Sequence, residues 1–301
     1  MLPPLGKPPA QDSLWLSPQL WQQILESQTD AFLAAHSWGI RAERWGDTLR
    51  WISSRPIASP PSSPPSNLDW QPSQILMQEE SSPTATFLQG NTYQVEAMEL
   101  GLRYEIDLTP GTAPGLFPDQ RENRRHLASL RPTRLLNLFA HTCAFGVLAA
   151  SAGAETLNID SSARSLARGK NNYQRNQLTG TPHRFWTEDV RRVLPRLSRR
   201  GETFDAIILD PPTFAHGGRG RSFRIQRELE PLLLACFPLL SPHGSLLLSI
   251  NQAQTTPADL LSTIQKILSR EAIPAQILPG FRPPDIPEER MPSSLWIVRQ
   301  S

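Results

Sequence analysis

The stretch FDAIILDPPTFA, Phe204 to Ala215, decides how this chain is read. Phe204 to Leu209 are nearly all apolar, with the length and texture of a strand buried on both faces. The run stops at Asp210, Pro211 and Pro212, with Phe214 close behind. Proline locks φ, so the Asp210 carboxyl and the carbonyls held by the two prolines become acceptors of nearly fixed direction. Such a group suits the N–H groups of a planar amine or the edge of a base, and Phe214 offers a face on which a flipped-out base stacks. The plainer reading is a proline-rich turn that closes a strand.

Around that stretch, short apolar runs alternate with helical patterns. RLLNLF leads into FGVLAASAG, ETLNID into SSARSLARGKNNYQRN, and HRFWTED into VRRVLPRLSRR. FDAIILD leads into FRIQRELEPLLLACFPLL, and GSLLLSI into TTPADLLSTIQKILSR, where Thr256 is an expected N-cap with Pro257 at the first helical position. The chain closes on SLWIVRQ. Strands separated by helices of this length imply βαβ units and a mostly parallel sheet covered on both faces, an α/β fold.

The preceding part has a different texture. SPQLWQQILESQTDAFLAAHSW places Leu20, Trp21, Ile24, Leu25, Phe32 and Leu33 at helical spacing after Ser17-Pro18. RAERWGDTLRWIS suggests two strands around Gly46-Asp47, and TYQVEAME with LRYEIDLT a hairpin hinged on Leu100-Gly101. Residues 58–74, rich in proline and serine, are expected to form an exposed loop. The expected division is a small α+β domain over residues 1–112 and an α/β domain over 113–301.

The 301 residues are enough for two domains, and 39% hydrophobic with 19% charged residues fits a globular chain with a sizeable core. No window approaches the roughly 18 apolar residues of a membrane span. The N-terminus MLPPLGKPPAQDS carries no secretory pattern. Cys143 and Cys236 are far apart and in no metal-ligand spacing, so neither a disulfide scaffold nor a zinc site is indicated and a reducing cytoplasm is the expected compartment. The net charge of +2 and pI near 8.7 stay below the basic footprint, pI above about 9, of a dedicated nucleic-acid module. The cations are nearly all arginine, which suits bidentate phosphate contacts.

In open α/β sheets ligands bind beyond the carboxyl ends of the strands. After the first strand comes AHTCAFG, a small-residue turn without the G-x-G-x-x-G pattern. The second strand ends in Asp160, where an acid accepts hydrogen bonds from a ribose diol. Asp189 and Asp210 follow the third and fourth strands. Three strand-terminal acids, with no G-K-[ST] to hold a triphosphate, suit a nucleoside of little negative charge such as S-adenosylmethionine (SAM) better than NAD or ATP. Each acid has an alternative role as an N-cap of the next helix, Asp189 above all.

These residues resemble a known family. GLFPDQRENRRHLASL, LLNLFAHTCAFGVLAASAGAETLNIDSS, KNNYQRN, FDAIILDPPTFA and the closing strand are similar to bacterial SAM-dependent methyltransferases of large-subunit ribosomal RNA, a group with cytosine-C5 and guanine-N7 enzymes. The resemblance implies a Rossmann-like domain with a seven-stranded, mostly parallel sheet. It implies that Phe139, Ala140, His141, Thr142, Asp160 and Ser161 contact the methionine and ribose parts of SAM and Asp189 the adenine. Asp210 to Phe214 would face the acceptor. Asp119, Gln120, Arg121, Asn123 and Arg124 match a segment near the active-site mouth, with a salt-bridged connector as the alternative. His141, Cys143 and Ala144 stand where relatives often carry tyrosine and glycine; His141 is expected to pack against SAM or to act as a base, and Cys143 to be a small buried residue. No RNA-binding module of the PUA type is recognisable in the first ninety residues.

Methylating pyrimidine C5 needs a thiolate at C6. The segment SINQAQ after the fifth strand has no cysteine and instead matches the guanine-N7 type, with Asn251 as the corresponding residue; Asn251 would hydrogen-bond the base edge or cap its loop. Arg219, Arg221, Arg224 and Arg227, interleaved with Gly217, Gly218 and Gly220, would grip phosphates as a flap. RRVLPRLSRR reads as a solvated basic face. Three functions stay open: a methyltransferase acting on a base nitrogen of ribosomal RNA, one acting on a protein or small-molecule amine, and a SAM- or RNA-binding protein without catalysis.

Overall fold

The structure is a computed structural model that describes residues 14–37, 39–54, 64–80, 82–180, 182–212, 225–251 and 255–300. The chain divides into two units, Met1–Pro118 with Pro284–Pro287, and Asp119–Pro283 with Glu288–Ser301. Phe214, Arg219, Arg221 and Arg224 lie outside the described residues, as does the Arg227 side chain.

In the first unit, helix α1 (Pro18–Glu26) starts as its sequence predicts: Ser17 Oγ accepts the Leu20 N–H at 3.3 Å, and Pro18 fills the first turn. The helical spacing that continues to Phe32 and Leu33 is misleading. Gln28 takes φ 55°, and the chain turns into strand β1 (Ala31–Ser37). Phe32 still meets Trp21, edge to face at 4.9 Å, because both face one core. Strands β2 (Ile40–Trp45) and β3 (Thr48–Ser53) follow. The proline-rich segment yields, after its undescribed part, a short 3-10 turn at Ser66–Leu68; Leu68 and Trp70 are buried, not exposed. Strands β4 (Gln74–Glu79) and β5 (Ala85–Gln89) complete a sheet of order β1-β2-β3-β4-β5, antiparallel except for β3 beside β4. The hairpin β6 (Gln94–Glu99) and β7 (Leu102–Asp107) turns on Leu100 and Gly101, both at positive φ, a pair that matches strand twist in tight hairpins. Pro284–Pro287 joins this unit, where Asp285 Oδ2 accepts the Leu33 N–H at 3.1 Å.

The second unit opens with α2 (Arg121–Ser129), formed by the segment that precedes the first strand of the α/β pattern. There follow β8 (Arg134–Leu138), α3 (Ala144–Ser151), β9 (Glu155–Asp160), α4 (Ala163–Arg175), β10 (His183–Thr187), α5 (Val190–Arg199), β11 (Phe204–Leu209), α6 (Ile225–Cys236), β12 (Leu240–Ile250), α7 (Pro257–Arg270), β13 (Ala275–Pro279) and β14 (Ser293–Arg299). The expected Thr256 cap is a full capping box with Asp259. The sheet order is β10-β9-β8-β11-β12-β14-β13, parallel from β10 to β12 and antiparallel at β14 and β13. This is the expected seven-stranded Rossmann-like sheet.

Alternation within single strands shows why both faces are covered. Leu136, Leu138, Ile207 and Leu209 join one core cluster, whereas Leu135, Ala206 and Ile208 join another with Phe145 of α3 and Trp296 of β14. Each such side chain contributes about 1.5–3 kcal/mol when fully buried. Strand order reverses between β8 and β11, so the crevice for a ligand opens beyond their carboxyl ends, where Phe139 and Asp210 begin the loops.

Candidate active site

The turn from β8 to α3 replaces glycines by shape. Phe139, His141 and Cys143 all adopt left-handed φ, at 56°, 48° and 63°. Each non-glycine residue there costs about 1–2 kcal/mol, and strain of this kind collects where structure around it over-determines the backbone. The restraints are visible. Ala140 N–H donates to the Ile159 carbonyl at 2.9 Å, Cys143 N–H to the Ala140 carbonyl at 2.7 Å, and Asn172 Nδ2 to the Thr142 carbonyl at 3.1 Å. Gly169 of α4 lets this turn close: a Cβ there would lie 2.5 Å from Cys143 Sγ.

Asp160, partly accessible at the end of β9, uses both carboxylate oxygens to shape the crevice. Oδ2 accepts the His141 N–H and Oδ1 the Ser162 N–H, each at 2.8 Å. Each oxygen keeps a lone pair for a ribose hydroxyl. Asp160 is not the cap of α4; Ser162 takes that role, and Ser161 beside it is exposed. Burial, the largest influence, lowers the His141 pKa, so the ring is neutral near pH 7.

Asp189 takes the alternative role. It caps α5 through the Arg191 N–H at 2.9 Å, and its carboxylate is clasped by the Arg191 guanidinium, with Nη2 at 2.6 Å. That hydrogen bonding holds its pKa below the usual carboxylate value.

Asp210 is the opposite case. Burial and then the neighbouring Asp119 charge raise its pKa to about 7, against the pull of a Ser249 hydrogen bond and the Arg124 charge. Pro211 after it is buried, Pro212 exposed, and Asn251 stands exposed just beyond β12. Among the described residues, no group of three or more metal-ligating side chains is arranged to hold a metal.

Gln120, Arg121 and Arg124 belong to the segment expected near the active-site mouth. Their side chains are buried, with Arg121 and Arg124 at 1% exposure, because α2 packs its polar face into the protein. Gln120 Nε2 donates to Ser249 Oγ at 2.8 Å, and the Arg124 guanidinium sits 5.5 Å from the Phe145 ring centre. Ser249, which sequence reading passed over, is fully buried beneath Asp210; its only sequence signal is a hydroxyl in an otherwise apolar strand end.

The residues fit SAM. The crevice side offers a tight turn, the Asp160 acceptors beside it and a second acid at Asp210, an acceptor set suited to a ribose diol and a cationic sulfonium rather than to phosphates.

Comparison with known proteins agrees. A family model described as S-adenosylmethionine-dependent methyltransferase matches residues 64–289. Over 149 residues, 49% of the chain, it is 38% identical to ribosomal RNA large subunit methyltransferase I of Tolumonas auensis. Over 195 residues, 62% of the chain, it is 33% identical to ribosomal RNA large subunit methyltransferase K/L of a Shewanella species. These matches span only 37% and 27% of the two relatives' own lengths. The fold is shared with the SAM-dependent methyltransferase of Agrobacterium tumefaciens, with a TM-score of 0.72 and 23% identity over 90% of each chain. The chain belongs to the S-adenosylmethionine-dependent methyltransferase family.

Proposed function

We propose that this member of the family methylates a base nitrogen of ribosomal RNA, guanine in preference to cytosine C5. The observation that carries the choice of atom is the state of the two cysteines. Cys143 and Cys236, the only thiols in the sequence, are both fully buried, and burial pushes both pKa values far up. Neither supplies the thiolate that C5 chemistry requires. The ribosomal RNA reading is supported by the names of the two relatives and by the order of shared motifs.

When bound, SAM supplies an electrophilic methyl on its sulfonium. Phe139 to Thr142 and the Asp160 carboxylate would hold its amino-acid and ribose ends, and Asp189 its adenine once released from Arg191. Asp210, with Pro211 and Pro212, would accept the N–H edge of the base and orient the nitrogen lone pair. An acceptor nitrogen that carries a proton would lose it to the Asp210 carboxylate, which a pKa of about 7 fits for proton exchange at neutral pH. Asn251, Phe214, Arg219 and Arg221 would contact the base and its phosphates. Orientation and proximity supply most of such catalysis.

The test is transfer from methyl-labelled SAM to ribosomal RNA from a strain lacking the gene, with total protein in parallel and nuclease digestion of the products. Label in a purine nitrogen of nuclease-sensitive material supports the proposal, and label only in protein or small molecules overturns the RNA reading. Asp210→Ala is expected to remove most of the rate while S-adenosylhomocysteine binding persists.

A further inference from the structure

We propose that Asn123 is a positioning residue for methyl transfer, acting through Gln120 and Ser249 to fix Asp210 as a hydrogen-bond acceptor. The proposal rests on the reading that Asp210 faces the acceptor. Its basis is a one-way chain of buried hydrogen bonds whose direction is imposed at the far end.

The chain starts at two groups that only donate. The Phe281 backbone N–H and Trp296 Nε1–H reach the same Asn123 atom at 2.9 and 3.0 Å, so that atom must be oxygen. The Asn123 amide nitrogen then faces Gln120 at 2.9 Å, and the facing Gln120 atom must accept. Gln120 therefore turns its own amide nitrogen to Ser249 Oγ at 2.8 Å. Ser249, having accepted, keeps one proton to give, and its partner is the Asp210 carboxyl. Asn123 and Ser249 are fully buried, Gln120 is 4% exposed, and water has little access with which to reverse the order. Ordered polar chains of this kind are costly to leave half made.

Asp210 thus receives a proton donor on the protein side, which favours its ionised form and leaves lone pairs for the substrate. Arg124 on α2 acts in the same sense, and Asp119 beside α2 acts against it. The loop after β13 is tied into the same chain by the Phe281 N–H, so the backbone there helps set the charge state of an acid that follows β11.

Titration tests this without relying on turnover. In protein carrying 13C-labelled aspartate carboxyls, the Asp210 signal is assigned by its loss in Asp210→Asn. Removing the donor with Ser249→Ala is expected to raise the midpoint by about one pH unit. Asn123→Asp should do the same: two acceptors at position 123 force Gln120 to flip, and Ser249 must then donate away from Asp210. Because the new charge also acts through space, the double variant decides. A shift no larger than that of Asn123→Asp alone supports the chain, and a larger shift, or none from Asn123→Asp, overturns it. Ser249→Thr keeps the hydroxyl and should restore the wild-type midpoint.

In the RNA assay, Ser249→Ala should lose about fivefold in rate at pH 7 and regain it by pH 9. A merely structural loss would persist at both values and overturn the positioning role. If Asp210→Asn keeps the wild-type rate, the acceptor-site reading itself fails, whatever the titrations show.

Discussion

Asp160 closes the turn of a neighbouring strand: its Oδ2 accepts the His141 N–H at 2.8 Å, across from β9 to the loop that follows β8. One carboxylate thereby holds a strained residue and remains available to a ligand. In Asp160→Asn one of the two backbone N–H groups must face an amide donor. The expected loss is about 1–3 kcal/mol of cofactor binding, roughly 5- to 150-fold, read by calorimetric titration with S-adenosylhomocysteine. Unchanged affinity would remove Asp160 from the cofactor site.

Asp210 makes the protein less stable as pH rises. Its folded pKa of about 7 lies above the unfolded value, so the folded state binds the extra proton between about pH 4 and 7. Stability from this group is fully present below the unfolded pKa and is lost as pH climbs through 7. Asparagine cannot ionise, so Asp210→Asn should match wild type near pH 4 and exceed it by roughly 1–3 kcal/mol at pH 8; the ideal figure of about 4 is reduced by residual solvent contact. Urea unfolding at the two pH values measures the difference. Equal differences would show that Asp210 does not carry a raised pKa.

Gly169→Ala tests the fit between α4 and the turn that follows β8. The new methyl would lie 2.5 Å from Cys143 Sγ and 3.3 Å from the Thr142 carbonyl carbon, and neither atom belongs to a long flexible side chain. Overpacking of this kind costs about 1–3 kcal/mol. Thermal unfolding should register it, and cofactor affinity should fall with it because Thr142 and Cys143 must move. A variant as stable as wild type would show that the turn yields easily.

The second unit was legible where pattern and chemistry coincide. β11 reads from its apolar run because both its faces are buried, and Asp210 from the proline pair that ends it. α2 did not read as a helix because its charged residues point partly inward, where Arg121 and Arg124 are buried. β4, β5 and β13 are short and carry many polar or partly exposed residues, so their apolar signal is thin. The link from Gln120 to Ser249 joins positions 129 residues apart, which no local spacing announces. Asp189 shows the reverse: its capping role was legible, but its clasp by Arg191 depends on a side-chain conformation.

That clasp yields the last prediction. Arg191 holds Asp189 with Nε at 2.9 and 3.1 Å and Nη2 at 2.6 Å, and its Nη1 reaches Glu228 of α6 at 3.3 Å. If Asp189 receives the adenine amine, the guanidinium must first let go. The pair is partly exposed, where such bridges are worth at most about 1 kcal/mol, so the competition is modest. Arg191→Ala should therefore tighten S-adenosylhomocysteine binding by up to about fivefold, with the α5 cap preserved because it uses the position 191 backbone N–H. Raising salt should tighten wild-type binding in the same direction and leave the variant nearly unmoved, since screening weakens the clasp and the ligand carries no net charge to be screened at Asp189. Weaker binding in Arg191→Ala would mean that the guanidinium itself helps to hold the ligand and that Asp189 serves only the helix.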